Sequence, residues 1–348
     1  MNGEYTWSEI QSQGKVWPAA WRHAIEASER IAPAYRAASY SEALFIGCGS
    51  THYLALSAAA LANEILGLRS RGLPSSEVFL FPRQALPQGG KPLLVAISRS
   101  GETTETIKAV RFFRERFHSD VLTIGNYPEA TLVKECDDAI IIPEGQEQSI
   151  AQTRSFASML LAAQVMIGTC AGNDSYLQAL SRLPDLVGPL LSDCTASMKA
   201  LGTDSRYDTF IFLGSGAFYG VACEAMLKMK EMSLSHSEAF HYLEFRHGPK
   251  SIVNKRTLIA ALLSDSARDE ELRLLAEMRQ LGASVLLIGD SIQAGAPADY
   301  IVDLQADLPE TARVPLCLPP LQVFAHSRAI AKGLDPDRPT NLSAVVVL

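Results

Sequence analysis

Positive charge is scarce in this chain of 348 residues: 31 Lys and Arg stand against 38 Asp and Glu, a formal net charge of −7. That balance argues against nucleic acid as a partner, because gripping a phosphate backbone takes a basic face. It leaves room for a single phosphate held locally. Metal-ligand spacing is missing too. The six cysteines (Cys48, Cys136, Cys170, Cys194, Cys223 and Cys317) are scattered, with no C-x-x-C pair and no Cys/His cluster, so they read as reduced core thiols and no metal is expected. No apolar stretch reaches the roughly 20 residues that a bilayer span needs, so no membrane partner is expected. The opening Met-Asn-Gly-Glu-Tyr-Thr-Trp lacks a basic-then-apolar leader, and a cytoplasmic location follows as the expectation. The dinucleotide fingerprint is incomplete: Gly47-Cys48-Gly49 has no third glycine near Tyr53, so no nucleotide cofactor is expected.

What is present is a pattern used twice. With 47% hydrophobic and 20% charged residues, the chain can fill two ordinary cores. Ala43-Leu44-Phe45-Ile46-Gly47-Cys48-Gly49 runs into an Ala-rich helical stretch, and so does Thr209-Phe210-Ile211-Phe212-Leu213-Gly214-Ser215-Gly216. The apolar runs 93–97 and 258–263, 121–125 and 285–289, and 139–143 and 300–304 pair in the same order. The offset stays near ~165 residues, which is the mark of a duplicated domain. Continuous apolar strands are buried on both faces, so each half is predicted to be a doubly wound parallel sheet in an α/β/α sandwich. The predicted organisation is a helical segment over 1–40, one α/β domain over 41–172, a helical connector over 173–202 broken at Pro184 and Pro189, and a second domain over 203–348.

The densest chemistry lies at 98–106, Ser-Arg-Ser-Gly-Glu-Thr-Thr-Glu-Thr, directly after the second apolar run. Ser98, Ser100 and Thr103 offer hydroxyls, and Gly101 lets backbone approach closely. The helix that follows adds free N–H groups at its positive end. A plain capped helix with Ser100 as N-cap would account for one hydroxyl but not for three. Arg99 is either a charge partner for the anion or a solvent-facing side chain. The matching stretch of the second half, Ser264-Asp265-Ser266-Ala267-Arg268-Asp269, carries carboxylates that would repel a phosphate. The second half offers Glu224, Lys228 and Glu231 on one helix face, and His247 before a Gly248-Pro249 turn. A solvated salt-bridge stripe is the competing reading of the first three. His236 and His241 compete with His247.

These residues, with Thr153-Arg154-Ser155-Phe156 and the tail 335–342, resemble the double SIS (sugar isomerase) domain family, and within it the isomerase portion of glutamine–fructose-6-phosphate aminotransferase, across about residues 40–343. The resemblance implies that Cys48, Ser50, Thr51, Ser98, Arg99, Ser100 and Thr103 line a sugar-phosphate pocket. It implies Glu231 as the base moving protons between C1 and C2, His247 as the ring opener donated across a homodimer interface, and Lys228 as a pocket lysine. Three departures stand out. The chain starts at Tyr5-Thr6-Trp7-Ser8 with no nucleophilic N-terminal cysteine, so glutamine is not the expected donor. Ala344 stands where the family carries a Schiff-base lysine, with Lys332 the closest lysine in sequence. Thr340 replaces an arginine. The expected activity is aldose–ketose isomerisation of a hexose or hexosamine 6-phosphate, with or without release of ammonia. A fructosyl-amino-acid phosphate deglycase and a non-catalytic sugar-phosphate sensor are the alternatives.

Overall fold

The structure, a computed structural model, describes residues 2–343. Its strands are β1 (Glu42–Gly47), β2 (Ser70–Pro74), β3 (Pro92–Ser98), β4 (Val121–Gly125) and β5 (Asp138–Ile141), then β6 (Thr209–Leu213), β7 (His236–Phe240), β8 (Thr257–Leu262), β9 (Ser284–Gly289) and β10 (Tyr300–Asp303). The helices of eight residues or more are α1 (Glu4–Gln11), α2 (Gln13–Ala37), α3 (Ser50–Ile65), α4 (Thr104–Arg116), α5 (Arg154–Ala171), α6 (Leu183–Thr203), α7 (Phe218–Ser233), α8 (Arg268–Gln280) and α9 (Leu318–Ala331).

The chain divides into two compact units, each with one five-stranded sheet. The first comprises Ser12–Glu147 and Gln152–Pro184; the second comprises residues 2–11, Gln148–Ala151 and Asp185–Leu342. Both sheets are wholly parallel, in the orders β2-β1-β3-β4-β5 and β10-β9-β8-β6-β7, which are the same topology. The four predicted strand pairs are all present. The edge strands β2 and β7 form a fifth pair that the apolar runs did not reveal.

In the first unit every residue of β1 and β3 is buried. Leu44, Ile46, Leu94 and Ala96 pack against Ala109, Val110 and Phe113 of α4. Helix α5, apolar and long enough by composition to cross a membrane, is instead 83% buried as a core helix against α2 and α3. In the second unit Ile211, Ile259, Ala261 and Val285 meet Leu274, Leu275 and Met278 of α8. The connector is interrupted beside Pro184, where a short helix over Asp174–Leu180 ends and a turn at 181–182 precedes α6, but not at Pro189. Pro184 is the second residue of α6, where its missing N–H costs nothing, and Pro189 lies inside the same helix.

Polar clasps fix the ends of the second unit. Asp337 accepts from Thr6 N and Thr6 Oγ1, both at 2.7 Å, and from Tyr5 N at 3.1 Å, acting as a remote cap on α1. Glu9 in turn accepts from Gln148 N at 2.6 Å and from Ser149. In both sheets the strand order reverses beside the first strand. The crevice for a ligand therefore lies at the carboxyl ends of β1 and β3 in the first unit, and of β6 and β8 in the second.

Candidate functional site

Two turns emerge at the first crevice. After β1, the chain must turn tightly because α3 starts against the strand end; a Cβ on Gly47 would sit 2.4 Å from the Thr51 backbone. Gly49 takes φ +56°, a left-handed conformation that glycine adopts readily. Cys48 N donates to Thr51 Oγ1 at 2.9 Å, and Thr51 Oγ1 donates to Cys48 O at 3.0 Å. Thr51 is thus spent on shaping the turn, while Ser50 sits buried at the first position of α3. The Cys48 thiol, 3.5 Å from Thr106 Oγ1, is pushed up from its ordinary pKa by burial, so it is a neutral wall rather than a nucleophile.

After β3, Ser98 Oγ accepts from Gly101 N at 3.0 Å and Ser100 Oγ accepts from Glu102 N at 3.2 Å. Each hydroxyl serves as an acceptor within the turn and keeps its own hydrogen to give to an anion. Gly101 has φ +65°, and a Cβ there would meet Ala130 Cβ at 2.5 Å, so no other residue fits without displacement. Helix α4 begins at Thr104 with Thr103 at its cap position, not with Ser100 capping as in the competing sequence reading. Ser100 is left inside the loop, and the helix N-terminus follows the loop as predicted.

Arg99 is 8% exposed, and its Nη1 lies 3.2 Å from Glu147 Oε2. The solvent-facing reading of Arg99 fails, and the charge partner that its side chain meets is Glu147. Glu147 itself, absent from the sequence reading, has a fully buried side chain held by five donors. They are Arg99 Nη1, Thr153 N at 2.7 Å, Thr153 Oγ1 at 2.9 Å, Ser155 N at 3.1 Å and Ser155 Oγ at 2.5 Å. It locks the start of α5 to the loop after β3. The Thr-x-Ser pair at 153–155 was the only trace of this clasp in the sequence.

In the second unit, α7 carries the expected face. Glu224 is fully buried, Lys228 is 1% exposed, and Glu231 is partly exposed. Lys228 Nζ lies 3.3 Å from Glu224 Oε1 and 2.5 Å from Glu231 Oε2. The solvated-stripe reading fails, since two of the three charges are out of water. The structure therefore builds a row of Glu224, Lys228 and Glu231 in which only the Glu231 end is partly exposed.

His247 lies beyond a short helical turn, and Gly248 follows it at φ +120°. The His247 ring is exposed, and among the described residues it makes no hydrogen bond or ion pair. Its competitors are occupied. His236 pairs with Glu238 at 3.1 Å, and His241 stacks on Tyr219 at 3.8 Å, with its pKa lowered by burial. Lys332 caps the end of α9 and donates to Leu234 O at 3.2 Å. Ala344 lies outside the described residues.

The profile of the SIS domain matches residues 38–168 and 205–317. The chain is 27% identical over 307 residues to the glutamine–fructose-6-phosphate aminotransferase (isomerizing) of Methanothermobacter thermautotrophicus, covering 87% of this chain and 51% of that protein. The corresponding protein of Pyrobaculum aerophilum is 33% identical over 268 residues, 74% of this chain and 44% of that one. The chain thus spans about half the length of the curated relatives it matches. Among solved structures, the glucosamine-6-phosphate deaminase of Thermotoga maritima superposes with a TM-score of 0.79 at 30% identity, covering 99% of this chain and 100% of that one. The tagatose-6-phosphate ketose/aldose isomerase of Escherichia coli gives 0.82 at 22% identity, covering 98% and 96%, a likeness of fold alone.

Proposed function

The chain belongs to the SIS domain family, and from that premise we propose that it is an enzyme isomerising a hexose or hexosamine 6-phosphate, releasing ammonia when the substrate carries an amine at C2. The observation that carries this reading is the α7 row: a partly exposed Glu231 held at 2.5 Å from a buried lysine. A stripe that served only solubility would not bury Lys228 and Glu224.

The roles follow from the chemistry. The phosphate goes to the turn at 98–103, where hydroxyls and the N-terminal amides of α4 offer donors; Ser50 and the Cys48 wall line the neighbouring turn. His247 moves a proton from the anomeric hydroxyl to the ring oxygen as the C1–O bond of the ring breaks and the C1 carbonyl forms. Glu231 lifts the proton from C2, next to the C1 carbonyl, and returns it to C1. Lys228 offsets the negative charge that builds on the enediolate as Glu231 takes the proton and becomes neutral. With an amino sugar the same transfer leaves a C2 imine; water adds to it and ammonia departs, giving the ketose phosphate. Each acid–base group contributes about 10²–10⁴ in rate. We further propose a homodimer in which the exposed His247 serves the partner's sugar, and a reducing, cytoplasmic setting in keeping with six unpaired thiols.

The test is to incubate the protein with a panel of sugar 6-phosphates, glucosamine 6-phosphate included, and to assay ammonia and ketose separately. Ketose with ammonia from the amino sugar supports deamination, and ketose alone supports plain isomerisation. Release of a free amino acid from fructosyl-amino-acid phosphates would replace the proposal with a deglycase. Binding across the panel without turnover would leave a sensor.

A further inference from the structure

The loop after β8 is the repeat counterpart of the loop after β3, and it closes in the same way. Ser98 Oγ accepts from Gly101 N at 3.0 Å, and Ser264 Oγ accepts from Ala267 N at 3.1 Å. The sequence suggested that carboxylates keep phosphate out of this second loop by repulsion. The structure shows a different arrangement. Asp265 is neutralised, with Arg313 Nη1 and Nη2 each 2.6 Å from its carboxylate and Arg268 Nη2 also at 2.6 Å. The amides of the loop are already engaged: Glu310 Oε2 accepts from Asp265 N, from Ser266 N at 2.9 Å and from Ser266 Oγ at 3.3 Å. An anion already sits in the turn.

Its counterpart in the first unit is Glu147, one repeat earlier in the chain. There the carboxylate is turned onto Thr153, Ser155 and the Arg99 side chain. The two halves thus use equivalent carboxylates in opposite ways, one braced beside its loop and one inserted into it. The surroundings of Glu310 are also those of an anion site. Arg313 is 2% exposed at its side chain, with Nε buried and without a hydrogen-bond partner, and the loop opens into α8. Arg268 and Arg313 both hold Asp265, and Glu271 Oε2 accepts from Ser264 N at 2.7 Å; without Glu310 the amides of Asp265 and Ser266 are left unengaged and the turn carries one carboxylate fewer beside the two arginines.

We propose that the loop at 264–267 is a second anion-binding site whose resident ligand is the Glu310 carboxylate, and that it takes a phosphate or phosphomonoester once that carboxylate is removed. The side chain restricts phosphosugar binding to one loop per chain and keeps the other loop ordered. This rests on the geometry of the second unit and does not depend on the reaction proposed above.

The test uses the full chain with Ser98→Ala and Ser100→Ala, so that the first loop does not mask the result. Inorganic phosphate is titrated calorimetrically at constant ionic strength. Glu310→Ala is expected to add one equivalent of bound phosphate over its parent. Glu310→Gln, which still fills the turn with an acceptor, is expected to add none. No added equivalent in Glu310→Ala, or the same result in both variants, overturns the proposal. Should Glu310→Ala fail to fold, Glu310→Asp draws the carboxylate back by one methylene. Amide exchange at 264–267 is then expected to quicken and to slow again with phosphate; exchange equal to the parent's, with and without phosphate, overturns it.

Discussion

Replacing Lys228 with methionine keeps most of the unbranched side chain, one atom shorter, and removes its charge. The lysine is 1% exposed, and its partner Glu224, 3.3 Å away, is fully buried. Removing one member of a buried pair strands the other, and such changes cost about 3–5 kcal/mol. For a unit of this size that corresponds to a fall of about 6–20 °C in the melting temperature. Glu224→Met alone is expected to cost less, because Lys228 keeps Glu231 at 2.5 Å and that carboxylate is still reached by water. The double variant Glu224→Met/Lys228→Met removes both buried charges and leaves apolar volume in their place. It is expected to recover most of the loss of Lys228→Met, since apolar replacements of buried pairs are often neutral or better. Urea unfolding followed by circular dichroism at pH 7 gives the three differences and their coupling. A Lys228→Met cost below about 1 kcal/mol, or a double variant that merely adds the single losses, would refute the stranded-charge reasoning.

Other expectations concern the second crevice and the reaction. Burial pushes the Glu271 carboxyl up to about 7 from 4.5, so folding favours its protonated form. Stability is then highest below about pH 4.5 as far as this group is concerned, and about 3 kcal/mol is lost as pH rises past 7. Glu271→Gln is expected to remove that part of the slope in melting temperature between pH 5 and pH 8, and an unchanged slope contradicts it. Ser98→Ala with Ser100→Ala is expected to weaken phosphosugar binding about a hundredfold, or about 3 kcal/mol for two charge-assisted bonds, as read by calorimetry; an unchanged Kd would move the phosphate elsewhere. Glu231→Gln is expected to lower turnover by at least about 10² with phosphosugar affinity nearly intact. Equal loss of both would make Glu231 a structural residue.

The apolar strands announced themselves because both their faces are buried; β1 after Glu42 reads Ala-Leu-Phe-Ile-Gly, and β3 reads Pro-Leu-Leu-Val-Ala-Ile-Ser. The edge strands did not. Ser70-Arg71-Gly72-Leu73-Pro74 and His236-Ser237-Glu238-Ala239-Phe240 each pair on one side only and keep partly exposed residues, so their sequences read as loops. The α7 face was visible at i, i+4 and i+7, but its burial was not, because burial depends on what packs over the helix. Pro189 read as a break like Pro184, but only Pro184 lies at a helix start, and Pro189 is carried inside α6. Glu147 and Glu310 left almost no local sign. Each acts on a loop or helix start that is distant in the chain or has no periodic link to it, and only the shared offset of the repeat connects the two.

The most direct measurement is a crystal structure of the protein with glucosamine 6-phosphate or its product. The expected result is density for the phosphate on the hydroxyls and amides of residues 98–103, with Glu147 still held by Thr153 and Ser155. Phosphate bound away from that turn in every copy, with the turn unchanged, would contradict the assignment on which the proposed reaction depends.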